Sequence, residues 1–318
     1  MIVGLVGPPK SGKTAVASFL LKHLGFCQIS LATQQDGLPA IEDDAHIVVA
    51  TAEALMDHIT QNWTHNFVLD GIESLSLIET LSIRPFFLLV SVDSPISMRL
   101  ARQLPDPMQH RDPGQLLQFM SQDDDWKFGK TNGKECMERS ALKIVNAETL
   151  ASLYAQLQRL DITNPIRLRP SWDTYFMKLC NLAATRSNCM KRRVGCILVR
   201  NNRIIATGYN GTPRGVRNCN EGGCDRCNHG ASNHSLDTCL CLHAEENALL
   251  EAGRERVDSG VGHAILYCNT CPCLGCAKKI IQVGIREVIY ALGYKMDDMT
   301  AKLFDSAGVQ LRQHVVAP

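Results

Sequence analysis

Four residues in the last third of the chain have the types and spacing that metal-assisted chemistry requires. His243 and Glu245 are two apart, and Cys273 and Cys276 are three apart directly after Pro272. At the start of a predicted helix the two cysteines share a face, where the positive helix terminus favours their thiolate forms. One imidazole nitrogen and two thiolates suit Zn²⁺ and leave a fourth, open position for water. The sequence therefore predicts a catalytic zinc site.

Glu245 cannot be a fourth ligand without closing that site. Its predicted role is to take a proton from the water that the metal activates and to deliver protons to the reacting molecule. Two alternatives stay open. Cys271 precedes Pro272 and is a rival ligand to Cys273. A closed zinc knuckle with one further cysteine is the other alternative, and it would leave Glu245 without a role.

The H-x-E and P-C-x-x-C pair is the arrangement of zinc-dependent nucleobase deaminases. From Arg169 to about Arg312 the chain resembles the CMP/dCMP deaminase family, and within it the fungal deoxycytidylate deaminases. The resemblance is carried by Arg169-Pro-Ser-Trp-Asp, Cys189-Met-Lys-Arg-Arg-Val-Gly, Gly208-Tyr-Asn-Gly-Thr-Pro-Arg-Gly and Cys241-Leu-His-Ala-Glu-Glu-Asn-Ala. It implies hydrolysis of dCMP to dUMP and ammonia, which feeds thymidylate synthesis. It also implies a homo-oligomer, typically a hexamer, that dCTP activates and dTTP inhibits.

The loop after Tyr209 is the predicted substrate loop. By the resemblance, Asn210 and Thr212 contact the nucleotide, although N-G-T-P alone is an ordinary turn. A 5′-phosphate needs charged or hydrogen-bonding partners. The candidates for it, each also explicable as a solvated surface residue, are Arg214, Arg217, Tyr294 and Lys295.

A group of cysteines precedes His243. Cys224-x-x-Cys227 has the spacing of a zinc ribbon. We expect a second, structural zinc, with buried free thiols or a different choice of ligands as the alternatives. The predicted ligands are Cys219, Cys224, Cys227 and either Cys239 or Cys241.

The N-terminus carries a second nucleotide-related motif. Gly7-Pro-Pro-Lys-Ser-Gly12-Lys13-Thr14 matches the P-loop pattern between a predicted strand and helix. The loop amides and Lys13 are expected to hold phosphates, with Thr14 and Asp70 on Mg²⁺. Val92-Asp93-Ser-Pro95 with Arg99 and Arg102 resembles the lid segment of nucleoside monophosphate kinases and dephospho-CoA kinase. The Asp123–Asp125 run is interpreted as a solvated face, and whether this region catalyses or only regulates stays open.

The order of apolar segments predicts two α/β domains. Residues 1–160 alternate strands and helices, which favours a P-loop kinase-like domain with a parallel sheet. Pro165 and Pro170 mark the boundary. Residues 169–315 combine helices with a hairpin that turns at Asn201-Asn202, and we expect a cytidine-deaminase-like α/β/α sandwich.

Composition excludes several classes of protein. The chain has 318 residues, 45% hydrophobic and 6% aromatic, with a formal net charge of +1. A deaminase of tRNA or single-stranded DNA would need a basic groove with stacking aromatics, so a polymeric nucleic acid is not the expected partner. No apolar run is long enough to span a membrane. With no recognisable signal peptide, we expect a cytoplasmic protein and leave access to the nucleus open.

Overall fold

In the computed structural model of the protein, the chain forms two compact units, Met1–Arg169 and Pro170–Pro318. The structure describes residues 1–32, 46–104, 112–229, 239–258, 263–293 and 298–315. Each unit has its own sheet and hydrophobic core, so the predicted α/β class is confirmed. Among the helices of these described residues, none is long and apolar enough to cross a membrane.

The first unit is built on a parallel sheet of six strands in the order β3-β2-β4-β1-β5-β6. Its strands are β1 (Ile2–Val6), β2 (Cys27–Leu31), β3 (His46–Val49), β4 (Phe67–Leu69), β5 (Phe87–Asp93) and β6 (Leu142–Val145). Its helices are α1 (Lys13–Leu24), α2 (Ala52–Gln61), α3 (Leu75–Ser82), α4 (Ile96–Gln103), α5 (Pro113–Phe128), α6 (Gly133–Glu138) and α7 (Leu150–Leu160). β1 is buried along its whole length because each face of the sheet carries a separate apolar cluster.

The acidic run on α5 is not uniformly solvated, which corrects our interpretation of it. Asp123 is 4% exposed and accepts a 2.6 Å hydrogen bond from Arg99 of α4. The Nε atom of Arg99 donates to the carbonyl of Ser94, so the guanidinium of this lid-like segment is hydrogen-bonded within the first unit. Asp124 and Asp125 are exposed. The ion pair between Arg99 and Asp123 therefore joins α4 to α5.

We expect Asp123→Ala to lower the free energy of unfolding of the first unit by about 3–5 kcal/mol, because it leaves the guanidinium of Arg99 buried and unpaired. Urea denaturation followed by the emission of Trp126, which is buried on the same helix, measures this. The matched control, Asp124→Ala, should change stability by less than about 0.5 kcal/mol. Equal effects of the two variants would contradict the assignment.

The second unit is a mixed sheet of five strands in the order β11-β10-β9-β7-β8, with β7 antiparallel to both neighbours. Its strands are β7 (Gly195–Arg200), β8 (Arg203–Tyr209), β9 (Ala264–Thr270), β10 (Glu287–Leu292) and β11 (Gln310–Gln313). Its helices are α8 (Trp172–Ala184), α9 (Asp225–Asn228), α10 (Ala244–Asp258), α11 (Leu274–Gln282) and α12 (Asp298–Ser306). Helix α8 packs on one face, while α10, α11 and α12 pack on the other.

Local sequence explains the two features that frame this sheet. Asn201 and Asn202 both have positive φ, which a two-residue turn between β7 and β8 requires. Asp173, in the first turn of α8, accepts 2.7 Å hydrogen bonds from Tyr267 of β9 and Arg312 of β11. Burial alone would raise the pKa of Asp173, but these bonds outweigh it and hold the pKa below its usual range. The carboxylate thus fixes α8 across the sheet.

Candidate active site and thiol cluster

The three predicted metal ligands come together at the N-termini of two helices. His243 directly precedes α10, Cys273 is the N-cap of α11, and Cys276 lies in the first turn of α11. The Nδ1 atom of His243 is 3.5 Å from Cys273 Sγ and 3.3 Å from Cys276 Sγ. A tetrahedral zinc ion would hold such nitrogen and sulfur atoms about 3.5 Å apart. These donors therefore fit zinc and leave one coordination position for water.

Glu245 lies beside these ligands and outside the group that they form. It is 4% exposed, and burial raises the pKa of its carboxyl to about 7. A carboxyl with such a pKa can both accept and release a proton near neutral pH. Its position suits proton transfer rather than coordination.

Glu246 is a positioning residue that sequence reasoning missed. Its carboxylate accepts a 2.7 Å hydrogen bond from the backbone N–H of His243 and pairs with Lys279 of α11. The same side chain therefore holds a ligand and ties α10 to α11. Its signal in the sequence was its place three residues after His243, where a glutamate can cap a helix.

Cys271 lines the same cavity, but its sulfur is not part of the three-ligand group among the described residues. We therefore expect Cys273→Ser to lose one bound metal ion per chain. Elemental analysis of the purified protein measures this. The loss of affinity should exceed the about 10- to 100-fold effect of changing an outer-shell partner. Cys271→Ser, the matched control, should keep the ion, and the reverse pattern would make Cys271 the ligand.

A cavity of about 410 Å³ opens over the ligands, and its lining includes His243, Glu245 and Cys273. Three cationic side chains also line it, Lys191, Arg192 and Arg226. We did not single them out from the sequence, where the only signal was the Lys-Arg-Arg run after Cys189 and the arginine inside Cys224-x-x-Cys227. The same cavity is thus lined by metal ligands and by these three cationic side chains, which we call the cationic wall.

The residues of the predicted substrate loop line two neighbouring cavities. Asn210 lines the cavity, but its amide is used within the protein: its Oδ1 accepts from Val194 N–H at 2.8 Å and its Nδ2 donates to the Arg192 carbonyl at 2.8 Å. Thr212 and Arg214 instead line a neighbouring cavity of about 700 Å³. Gly211 pairs with Leu242, which directly precedes His243.

The contacts of Asn210, Thr212 and Arg214 with a nucleotide therefore stay predictions. Arg217 is exposed. Tyr294 and Lys295 lie outside the described residues. Asn210 also orders the segment that carries Lys191 and Arg192.

Comparisons with known proteins agree with this site. Residues 170–292 match the family model described as the cytidine and deoxycytidylate deaminase zinc-binding region. The chain is 50% identical to a deoxycytidylate deaminase of Schizosaccharomyces pombe, over 98% of this chain and 97% of the relative. It is 43% identical to one of Saccharomyces cerevisiae, over 98% and 96%. The chain belongs to the deoxycytidylate deaminase family.

A solved structure of a dCMP deaminase from the cyanophage S-TIM5, in complex with dCMP and dUMP, is 31% identical to this chain. It covers 46% of this chain and 98% of its own, with a TM-score of 0.37. Residues 170–292, which match the zinc-binding region of the family, include His243, Cys273 and Cys276. Zinc is therefore the metal of this deaminase domain.

The cysteines before His243 also come together in this deoxycytidylate deaminase family member. All five predicted thiols, Cys219, Cys224, Cys227, Cys239 and Cys241, belong to one cluster. A sixth cysteine, Cys189, joins them and was not predicted. It stands 30 residues before Cys219 in the sequence, and only the fold brings it close.

The predicted P-loop lies between β1 and α1 in the first unit, which the family model does not cover but both fungal relatives do. Lys13 Nζ donates to the carbonyl of Gly7 at 2.8 Å, and Thr14 Oγ1 donates to Asp70 Oδ2 at 2.9 Å. The other carboxylate oxygen of Asp70 is buried without a partner among the described residues. Binding of Mg²⁺ by Thr14 and Asp70 stays a prediction.

Packing explains both glycines of the loop. A Cβ at Gly7 would lie 2.0 Å from the carbonyl oxygen of Val92, and Gly12 has a φ of 104°. Arg102 donates to the carbonyl of Lys10 at 2.9 Å, so this lid-like arginine lies against the loop. The geometry is compatible with a nucleotide, and nucleotide binding stays a prediction.

Proposed function

We propose that this chain is a zinc-dependent dCMP deaminase that supplies dUMP for thymidylate synthesis. One observation carries the proposal: His243, Cys273 and Cys276 form an open three-donor site in a cavity that also holds buried Glu245. The names of the two fungal relatives support dCMP as the substrate.

In the proposed reaction, dCMP and water give dUMP and ammonia. When bound, Zn²⁺ lowers the pKa of a coordinated water and so supplies a nucleophile at neutral pH. The water oxygen goes to C4 of the ring, and the bond from C4 to the amine breaks. Of the two water protons, one ends on ring N3 and the other on the departing amine. Glu245 carries these protons, because it is the buried carboxyl that lines the cavity beside the ligands.

We expect Glu245→Gln to lower kcat for dCMP by about 10²- to 10⁴-fold, because the amide keeps the shape of the side chain but cannot carry a proton. Ammonia release measures turnover, and elemental analysis should show that the metal is retained. Glu251→Gln, an exposed change on the same helix, is the control and should leave kcat unchanged. Normal turnover by Glu245→Gln would sink the proposed role.

We further propose that the cationic wall of the cavity binds the 5′-phosphate. Lys191, Arg192 and Arg226 line the cavity that holds Glu245, whereas Arg214 lines the neighbouring one. A phosphate dianion needs several charged donors, and guanidinium and ammonium groups supply them.

Lys191→Ala should raise KM for dCMP about tenfold, which corresponds to about 1.4 kcal/mol, because one charged phosphate contact is lost. The same variant should leave turnover of deoxycytidine, which has no phosphate, unchanged. Lys278→Ala, an exposed lysine change on α11, is the control for both substrates. An equal loss of activity with dCMP and deoxycytidine would mean that Lys191 does not act through the phosphate.

By its resemblance to the family, we propose that the chain assembles as a homo-oligomer, a hexamer, that dCTP activates and dTTP inhibits. Addition of each nucleotide to the dCMP assay tests the regulation, and sedimentation tests the assembly.

The first unit has a second candidate function, which is binding of a nucleoside triphosphate with Mg²⁺. Support comes from the Thr14–Asp70 hydrogen bond, the free second oxygen of Asp70 and the position of Lys13 over the loop carbonyls. Whether the unit then transfers phosphate or regulates the deaminase stays open.

Lys13→Ala should weaken binding of ATP with Mg²⁺ at least about tenfold, because a charged phosphate contact is lost. Isothermal titration calorimetry measures this. Lys22→Ala, on the exposed face of the same helix, should bind like the unchanged protein. Identical affinities for the two variants would mean that the loop no longer serves a nucleotide.

A further inference from the structure

Six cysteine sulfurs from three segments of the second unit form one buried group. Four of the cysteines are less than a tenth exposed and two are half-buried. The members are Cys189, Cys219, Cys224, Cys227, Cys239 and Cys241. The cluster lies apart from the three zinc ligands of the active site, and none of its sulfurs is shared with them.

The six sulfurs divide into two groups of four that overlap. Cys189 and Cys219 form one group with Cys227 and Cys241, and Cys224 and Cys239 form the other with the same two residues. Within each group every sulfur lies within 4.8 Å of the other three. The sulfurs of Cys189 and Cys227, of Cys224 and Cys239, and of Cys227 and Cys239 are 3.8, 3.9 and 3.7 Å apart. Sulfurs on one tetrahedral zinc ion are about 3.8 Å apart.

Two N–H donors point at the sulfur of Cys219. The backbone N–H of Met190 donates to Cys219 Sγ at 3.4 Å, and the side-chain amide of Asn228 donates to it at 3.9 Å. Hydrogen bonds of this kind stabilise the charged form of a sulfur, whereas a neutral thiol gains little from them.

The turn between Cys219 and Cys224 is built to bring its two ends together. Gly222 has a φ of 93°, and a Cβ at Gly223 would lie 1.8 Å from the carbonyl oxygen of Arg217. Only glycine fits both requirements of this turn. Residues 219–228 therefore present three sulfurs inward from one short segment.

We propose that this cluster binds two zinc ions, with Cys227 and Cys241 bridging them. Cys189 and Cys219 complete the tetrahedron of one ion, and Cys224 and Cys239 complete that of the other. The sequence predicted one structural zinc with four of these thiols. The structure instead offers eight coordination positions from six sulfurs, because two sulfurs belong to both groups.

Charge balance favours filling both positions. One ion with four thiolates has a net charge of −2 and leaves two protonated thiols buried beside it. A second Zn²⁺ adds two positive charges while those two thiols release two protons, so the net charge stays at −2. The second ion therefore supplies ligand bonds without adding buried charge. Soft thiolates in tetrahedral groups are the ligands that zinc prefers.

The cluster also forms part of the wall of the active-site cavity. Cys189, Cys227, Cys239 and Cys241 line that cavity together with Lys191, Arg192 and Arg226. Two zinc ions would join the segments that carry all three cations. The metal content of the cluster does not depend on the identity of the substrate.

The zinc content of the full-length protein, purified with zinc present, tests the proposal. We expect three zinc ions per chain, one at His243 and two in the cluster. Two ions would mean a single structural zinc with spare thiols, and one would mean that the cluster holds none; both results overturn the proposal. Iron in place of zinc would overturn it as well.

Variants separate the two kinds of site. Cys273→Ser should lower the count from three to two, and Cys189→Ser should also lower it from three to two. A single zinc held by the sequence-predicted thiols would leave Cys189→Ser unaffected, which would contradict the second ion of the cluster. Cys27→Ser, a half-buried cysteine of the first unit, is the matched control and should keep three ions.

Cadmium substitution of the unaltered protein gives a test that needs no variant. The ¹¹³Cd spectrum should show two all-thiolate resonances that are scalar-coupled through shared sulfurs, plus one uncoupled resonance from the site at His243. Two uncoupled cluster resonances, or one, would contradict the bridging cysteines. A count of three ions without turnover of dCMP would reject the proposed function while leaving the cluster in place.

Discussion

Glu246 joins the two helices on which the active site is built. Its carboxylate accepts the backbone N–H of His243 and pairs with Lys279, so the start of α10 is held against α11. The nitrogen ligand belongs to one helix terminus and both sulfur ligands to the other. Because a tetrahedral ion tolerates only small changes in the spacing of its ligands, the site depends on this link. The sheet below fixes the rest, since α10 and α11 pack on the same face.

The opposite wall of the cavity has no regular secondary structure of its own. The segment from Ser187 to Val194 is held by Asn210, which accepts from Val194 and donates to Arg192. Sulfurs of the cysteine cluster hold the same segment through Cys189. A loop that carries charged side chains needs such supports, because exposed backbone alone would not fix their directions. The cluster and the active site thus share one wall of the cavity.

Patterns with a local physical cause could be predicted from the sequence. The turn at Asn201-Asn202, the strand and helix around the P-loop and the helices that begin at the metal ligands all follow from neighbouring residues. Strands β2 and β6 were not predicted, because each is short and mixes polar with apolar residues. Neighbouring residues in the sequence indicate a long helix or strand. A short strand is stabilised mainly by the strands beside it, so its own sequence indicates it only weakly.

Contacts between distant segments could not be predicted. Unlike Asp124 and Asp125, Asp123 is buried and pairs with Arg99 of another helix and with Lys127, and the sequence of the run does not distinguish the three residues. Cys189 becomes a cluster member only when the loop before β7 folds back on the cysteine-rich segment. Thr212 was assigned to the substrate by the resemblance and Arg214 by its charge, and the sequence did not indicate that they line a different cavity from Asn210.

The most direct test of the central claim is a comparison of substrates. Zinc-loaded protein is incubated with dCMP, CMP, deoxycytidine and a cytosine-containing single-stranded oligonucleotide, and ammonia release is followed for each. We expect turnover of dCMP, much slower turnover of deoxycytidine, which has no phosphate for the cationic wall, and no turnover of the oligonucleotide. Release of ammonia from the oligonucleotide but from no monomer would contradict it.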